Sequence, residues 1–253
     1  MKNSYFYKKA LSNIYKRPSE VSEVTSQIIY GEKFKILSEN KSWIKIKISF
    51  DNYVGYIKNK DYTNNHKPTH KVFKLKTKIF KRPFNTIKNE TKFYLPFASK
   101  VSIIQKYKGF IEYEKNKWIK NNDLKNVIKI EKNFIKILKL FLDIKYVWGG
   151  KTYNGIDCSA LLQLIFFYNN KFYPRDTGDQ LKFHGKNKNS KIFKKGDIIF
   201  WKGHVAICLN KKSLIHAYGP KKKVIIMNIK NTILEIKEKS KLKVIGIKSL
   251  NDI

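Results

Sequence analysis

Tyr146-Val147-Trp148-Gly149-Gly150 leads, through seven residues ending in Asp157, into Cys158-Ser159-Ala160-Leu161-Leu162. A loop rich in glycine and aromatics meets a thiol, and the thiol meets an apolar run. Leu161, Leu162, Ile165 and Phe166 recur at three- to four-residue spacing, which predicts a helix starting at the sulfur. Unpaired N–H groups and the macrodipole at a helix N-terminus favour a thiolate. Further along come Gly203-His204-Val205-Ala206-Ile207 and Leu214-Ile215-His216-Ala217, both in strand-like settings. One thiol and two imidazoles are the inventory of a cysteine nucleophile, its base and a group that orients the base. His204 is the better base. His216 is placed to orient it, because one strand and a turn bring the two together in an antiparallel pair.

The flanking sequence gives this segment its setting. Glu131 to Leu142 carries Phe134, Ile135, Leu138 and Leu142 on one helical face, with lysines opposite. A second short helix is predicted over Asp176 to Phe183, with Asp176 or Thr177 as its N-cap. From Gly196 onward the pattern is strand-like: 197–201, 204–209, 213–217, 224–229 and 242–248. Helices followed by an antiparallel sheet make an α+β domain. Cys208, inside Val205-Ala206-Ile207-Cys208-Leu209, reads as a small hydrophobe in a buried strand. His184, between Phe183 and Gly185, reads as a helix-end residue over the last carbonyls.

The first ~125 residues have a different texture and repeat approximately. Asn13-Ile14-Tyr15-Lys16-Arg17-Pro18 is echoed by Lys78-Ile79-Phe80-Lys81-Arg82-Pro83, and the segment from Tyr30 to Leu37 by that from Phe97 to Ile104. Each copy alternates apolar and polar residues in short runs between turn-prone Gly, Asn, Asp and Ser, the pattern of a small antiparallel barrel. A closing Gly-Tyr-Ile or Lys-Trp-Ile strand before Asp61-Tyr62 or Asp123-Leu124 resembles bacterial SH3-like domains. The expected division is a barrel over 1–65, a second over 70–126, and the α+β domain over 130–253. Asn64 to His70 reads as an exposed linker between the barrels, and His66 and His70 within it have no acidic or thiol partner nearby to make a metal site.

Composition sets broad limits. At 253 residues with 14% aromatics the chain can bury sizeable cores. Its formal net charge of +35 invites a nucleic-acid reading, yet of 54 basic residues only Arg17, Arg82 and Arg175 are arginine. Arginine is the residue of bidentate phosphate and base recognition. Lysines spread along the whole chain with abundant Ile and Asn look like the codon usage of an AT-rich genome, so no specific nucleic-acid partner is expected. Two cysteines in unlike contexts do not make a disulfide framework. Met1 to Lys9 has no continuous apolar segment, and no apolar run of about 18 residues spans a membrane; a cytoplasmic protein is the expectation. Cys158, His204 and His216 lack a fourth ligand or a close Cys-x-x-Cys pair for zinc, so neither a metal nor another cofactor is expected.

Tyr-x-Trp-Gly-Gly (146–150), Asp-Cys-Ser (157–159), Pro-Arg-Asp-Thr (174–177), Gln180, Lys-Gly-Asp (195–197), His-Val (204–205) and Ile-His-Ala (215–217) resemble, in order and spacing, the NlpC/P60 cysteine peptidases. The resemblance covers roughly residues 130–250 and implies a papain-like catalytic domain, with Cys158, His204 and His216 as the catalytic Cys, His and third polar residue. Two SH3-like barrels ahead of it resemble the branch of γ-D-glutamyl-L-diamino acid endopeptidases, which cut murein tripeptides and tetrapeptides carrying a free N-terminal L-Ala. In that branch the Arg-Asp-Ser/Thr motif holds the amine, a role that falls on Asp176 with Thr177. Asp157 and Ser159 line the same pocket, and Tyr146 shapes the oxyanion and substrate site. A barrel tyrosine closes the cleft; Tyr53 is the candidate, with Tyr56 and Tyr62 as alternatives. Arg175 pairs with an aspartate or meets substrate. Where the family has glycine after Asp-Cys-Ser this chain has Ala160, whose methyl is expected to narrow the space beside the thiol. Two other functions share these features: a non-catalytic murein-binding protein, and an amidase or acyltransferase of the same fold.

Overall fold

The computed structural model describes residues 4–40, 42–58, 61–185, 187–188 and 192–250. The chain forms two compact units, Met1–Ile130 and Glu131–Ile253.

In the first unit a seven-stranded antiparallel sheet runs in the order Val24–Ile29, Leu11–Tyr15, Val54–Ile57, Ile44–Ile48, Lys33–Glu39, Ser4–Tyr7, Tyr62–Thr63. Period-two alternation puts Ile44, Ile46 and Ile48 inward, where they meet Tyr7, Ile14, Ile28, Phe34 and Ile57. Residues 70–126 form a five-stranded sheet and a three-stranded sheet around Val72, Ile79, Leu95, Val101, Ile111, Ile119 and Leu124. Tyr30, from the first sheet's side, packs into this second core, and its hydroxyl donates to Glu114 at 2.8 Å. Gly31 permits the approach: at its φ of +75° an added Cβ would lie 2.0 Å from the Lys100 carbonyl oxygen.

That junction corrects one part of the reading of 64–70, the exposure of His66. His66 is buried, with Nε2 3.0 Å from the Lys100 carbonyl and its ring edge-on to Phe6 and Tyr30. His70 opens the His70–Val72 strand. The polar sequence looks solvated throughout, but Phe6 and Tyr30 cover His66.

The second unit begins with α1, Phe134–Leu140, capped by the Asn133 side chain on the Ile135 N–H. A short hairpin, Lys151–Thr152 with Gly155–Ile156, precedes α2, Cys158–Tyr168. Every residue of α2 is buried. A helix apolar on all sides belongs in the middle of a domain, and α2 lies between α1 and the sheet. After α3, Thr177–Phe183, come five antiparallel strands in the order Lys223–Asn228, Ser213–Tyr218, His204–Cys208, Asp197–Trp201, Val244–Ser249. The architecture is α+β, as the sequence implies. The helix α4, Ile229–Ser240, escaped that reading, as did the short hairpin; Ile229, Thr232 and Ile236 of α4 face inward, and Asn228 caps it on the Asn231 N–H. His184 is also not a carbonyl cap. It is buried, with Nε2 2.7 Å from the Tyr173 hydroxyl. No helix among the described residues is long and apolar enough to cross a membrane.

Candidate active site

Cys158 is the first residue of α2, and Asp157 is its N-cap, accepting the Ala160 N–H at 2.8 Å. The cap fixes where the helix starts and therefore where the sulfur sits. The glycine loop locks onto the same carboxylate. Gly149, at φ +72°, donates its N–H to Asp157 Oδ2 at 3.0 Å. At Gly150 a Cβ would lie 2.5 Å from the Gly155 carbonyl, so no side chain fits there. Both glycines are scaffold. Trp148 is 57% exposed and therefore contributes little to the core.

Arg175 completes the arrangement. Its guanidinium grips both oxygens of Asp157, at 3.0 and 2.6 Å, and donates to the Ser159 hydroxyl at 2.8 Å. Ser159 in turn donates to Asp157 at 3.1 Å. The two residues flanking the thiol are thus clamped by one buried arginine, and their polar atoms turn inward. Gln180, fully buried, ties α3 to the same place by donating to the carbonyls of Ser159 and Pro174. Asp176, next to Arg175, is exposed at the N-cap of α3 and makes no capping bond to that helix, while Thr177 is half-buried. Of the two readings of Arg175, pairing with an aspartate is the one observed: its guanidinium is committed to Asp157.

The sulfur lies against the start of the His204–Cys208 strand. It sits 4.0 Å from the Gly203 carbonyl and receives the Val205 N–H, so the backbone on either side of His204 touches it. The imidazoles of His204 and His216 meet through Nε2 and Nδ1 at 2.9 Å. His216 stacks on Tyr218, with centroids 4.6 Å apart and planes 12° from parallel, and its Nε2 lies 3.3 Å from Met227 Sδ. Trp201 and Tyr218 flank the His204 ring at 5.6 and 5.7 Å.

This enclosure changes the electrostatics expected from the sequence. Burial pushes the Cys158 thiol up to about 12; the Asp157 charge adds to this, while the Val205 N–H, Arg175 and the Ser159 N–H oppose it. The thiolate favoured by a bare helix N-terminus is therefore not the resting form, because desolvation outweighs the helix end. Burial also lowers His204 to about 4, and lowers His216 well below the usual imidazole range with help from the neighbouring His204. The resting site is a neutral thiol beside two neutral imidazoles. Tyr146 is half-buried near the sulfur, and burial, with smaller contributions from neighbouring Cys158 and Asp157, raises its hydroxyl. Ala160 is wholly buried. Tyr53 belongs to the first unit, where it packs against the barrel core. Cys208 is a buried core thiol, as its strand context predicts. Among the described residues no group of three His, Cys, Asp or Glu could hold a metal ion.

The sequence offered Arg175 an aspartate partner but not the grip on Ser159, and it assigned no role to Gln180 or Met227. Arg175 was legible as a rare arginine in a lysine-rich chain. Met227 carried no signal, because its role depends on cross-strand register.

A lone thiol at a helix start, packed on a sheet that carries two linked imidazoles, is the arrangement of a cysteine peptidase, and the comparisons return that class. Residues 143–240 match the NlpC/P60 family and residues 14–61 match the bacterial dipeptidyl-peptidase SH3 domain. The chain is 26% identical to a γ-D-glutamyl-L-lysine dipeptidyl-peptidase of Bacillus subtilis, over 84% of this chain and 78% of that one. It is 23% identical to dipeptidyl-peptidase 6 of Lysinibacillus sphaericus, over 82% and 84% of the two chains. The crystal structure of an NlpC/P60 family protein from Bacillus cereus superposes with a TM-score of 0.80 at 18% identity, covering 97% of this chain and 98% of that one, and shares the fold. The chain is a cysteine peptidase that carries an NlpC/P60 domain, with a bacterial dipeptidyl-peptidase SH3 domain in its N-terminal part.

Proposed function

We propose that this peptidase hydrolyses the γ-D-glutamyl–L-diamino acid bond of murein-derived peptides that carry a free N-terminal L-Ala, in the recycling of cell-wall peptides. One observation carries the reading: Arg175 clamps both neighbours of Cys158, and the next residue along the chain, Asp176, is exposed. A carboxylate held at a fixed offset from the thiol is a ruler. It meets the peptide's ammonium group and sets how far into the peptide the sulfur cuts. The names of the Bacillus and Lysinibacillus relatives point to the same dipeptide release.

In this reading Cys158 is the nucleophile, His204 the base and His216 its orienting partner. His204 Nε2 is engaged with His216, which leaves Nδ1 for the thiol proton. The proton moves to Nδ1 as sulfur bonds to the carbonyl carbon, and it then passes to the departing diamino-acid amine as the C–N bond breaks. Water resolves the thioester by the same route in reverse. A neutral resting pair makes proton transfer part of the attack. Sulfur–imidazole contacts in a substrate-free site commonly tighten only when substrate binds. Tyr146 and the N–H groups at the start of α2 receive the developing oxyanion. Thr177 assists Asp176 at the amine, with Asp157 and Ser159 building the pocket from beneath. We further assign the barrels to 1–65 and 70–126 and the catalytic domain to 130–253.

The test is incubation of the full chain with L-Ala-γ-D-Glu-L-Lys and with its diaminopimelate counterpart, each also N-acetylated. Release of L-Ala-D-Glu from the free-amine peptides alone is expected. Equal cleavage of the acetylated peptides would remove the amine ruler, and no cleavage of any under reducing conditions would sink the assignment.

A further inference from the structure

We propose that Met227 is a positioning residue: its thioether, able to accept a hydrogen bond but not to donate one, fixes the tautomer of His216 and, through it, that of His204. The inference rests on the catalytic reading of Cys158 and His204 given above.

The strand register brings the sulfur there. In the pairing of Ser213–Tyr218 with Lys223–Asn228, His216 lies opposite Ile225 and Leu214 opposite Met227. Directly opposed residues share a face of the sheet, so Met227 is the diagonal neighbour of His216 on the same face. The long unbranched side chain spans that diagonal, placing Sδ 3.3 Å from His216 Nε2.

The chemistry then runs in one direction. A thioether has lone pairs and no proton to give, so contact with it is attractive only when His216 Nε2 carries the hydrogen. Burial holds His216 neutral, so a proton on Nε2 means a bare Nδ1. That bare nitrogen faces His204 Nε2 at 2.9 Å and requires a donor from it. His204 Nε2 therefore carries its ring's hydrogen and Nδ1 is bare, which is the state that can accept the thiol proton. With the opposite tautomer at His216, Nδ1–H would point at His204 Nε2 and move the hydrogen of His204 to Nδ1. The base would then be occupied at the atom where it must accept. In most acyl-transfer triads the orienting group is a carboxylate or amide that settles this question itself. A histidine in that position can adopt either tautomer, so a further residue must choose, and here a methionine is in place to do so.

The experiment uses the full chain with 15N-labelled histidine. Two-bond 1H–15N correlation spectra, assigned with His204→Gln and His216→Asn variants, report which ring nitrogen of each residue is protonated. Both residues are expected as Nε2–H in the unsubstituted protein. Met227→Leu keeps the volume and removes the acceptor. It should give mixed tautomers at both histidines and lower kcat roughly three- to tenfold, the range of one modest hydrogen bond, with KM unchanged. Nδ1–H at His216 in the unsubstituted protein would overturn the proposal, and so would a Met227→Leu spectrum identical to it. The spectra separate this inference from the catalytic reading: the expected tautomers in a protein that cleaves no peptide would sustain the first and reject the second.

Discussion

The two ends of the His204–Cys208 strand each carry a buried thiol, and they differ in everything but the thiol. Burial pushes Cys158, against the strand's first residues, and Cys208, at its last, alike to about 12. Burial alone therefore does not mark a nucleophile. At the first end the sulfur starts a helix, receives backbone N–H groups and touches the residues on both sides of an imidazole. At the other end the thiol sits mid-sheet among Ile199, Leu214 and Ile236. A reactive cysteine is made by the proton acceptor and the donors around it, and an inert one by their replacement with hydrocarbon.

The comparison breaks most directly at the thiols. Cys158→Ala should lower turnover of L-Ala-γ-D-Glu-L-Lys by roughly 10⁴-fold or more, as loss of a covalent nucleophile does. Cys208→Ala should leave kcat/KM within about threefold and cost about 1 kcal/mol in urea unfolding, the cost of a small cavity. Similar losses of activity in both variants would erase the distinction.

Next in size is the clamp. Arg175→Met strips a buried carboxylate of its partner while preserving much of the volume. It should cost about 3–5 kcal/mol of stability by denaturant titration. The corresponding pair near Cys208, Lys188 with Asp197 at 2.5 Å, is more exposed on its lysine. Lys188→Met should therefore cost less, and the reverse order would show that the Arg175 network does not hold the start of α2. At the base, His216→Ala should reduce kcat by roughly 10- to 100-fold through misorientation of His204. An unchanged kcat would remove His216 from the mechanism.

The smaller effects concern protons. Both imidazoles are lowered in the folded protein, His204 to about 4 from an ordinary 6.5. Between those values the unfolded chain binds protons that the folded chain does not, so this contribution is intact above pH 6.5 and is lost as pH falls towards 4. Tm should decline over that window, and a His204→Asn/His216→Asn double variant should flatten the decline. The smallest contrast is alkylation: both thiols should react slowly with iodoacetamide at neutral pH, Cys158 the faster. Equal rates would mean that His204 gives Cys158 no help.

Much of the site was legible because it is local. The start of α2 at Cys158 follows from a capping aspartate and helical spacing, and the strand around each histidine follows from alternation. The helix α4 was also within reach: Ile229, Thr232, Ile233 and Ile236 follow the one-face helical pattern, but the flanking strand pattern masked it. His66 was not within reach, since a polar segment gives no sign that Phe6 and Tyr30 will cover it.

The sequence alone determined which residue types are present and in what order: a thiol at a helix start, two histidines in strands, an arginine beside an aspartate, and repeating barrel patterns. These depend on spacing along the chain, and spacing is written there. Only the tertiary structure decided that Arg175 grips Asp157 and leaves Asp176 exposed, that the resting thiol is protonated, and that Met227 reaches His216. Those outcomes depend on burial and on which strands lie side by side. Both are set when distant segments pack together, and no local pattern encodes them.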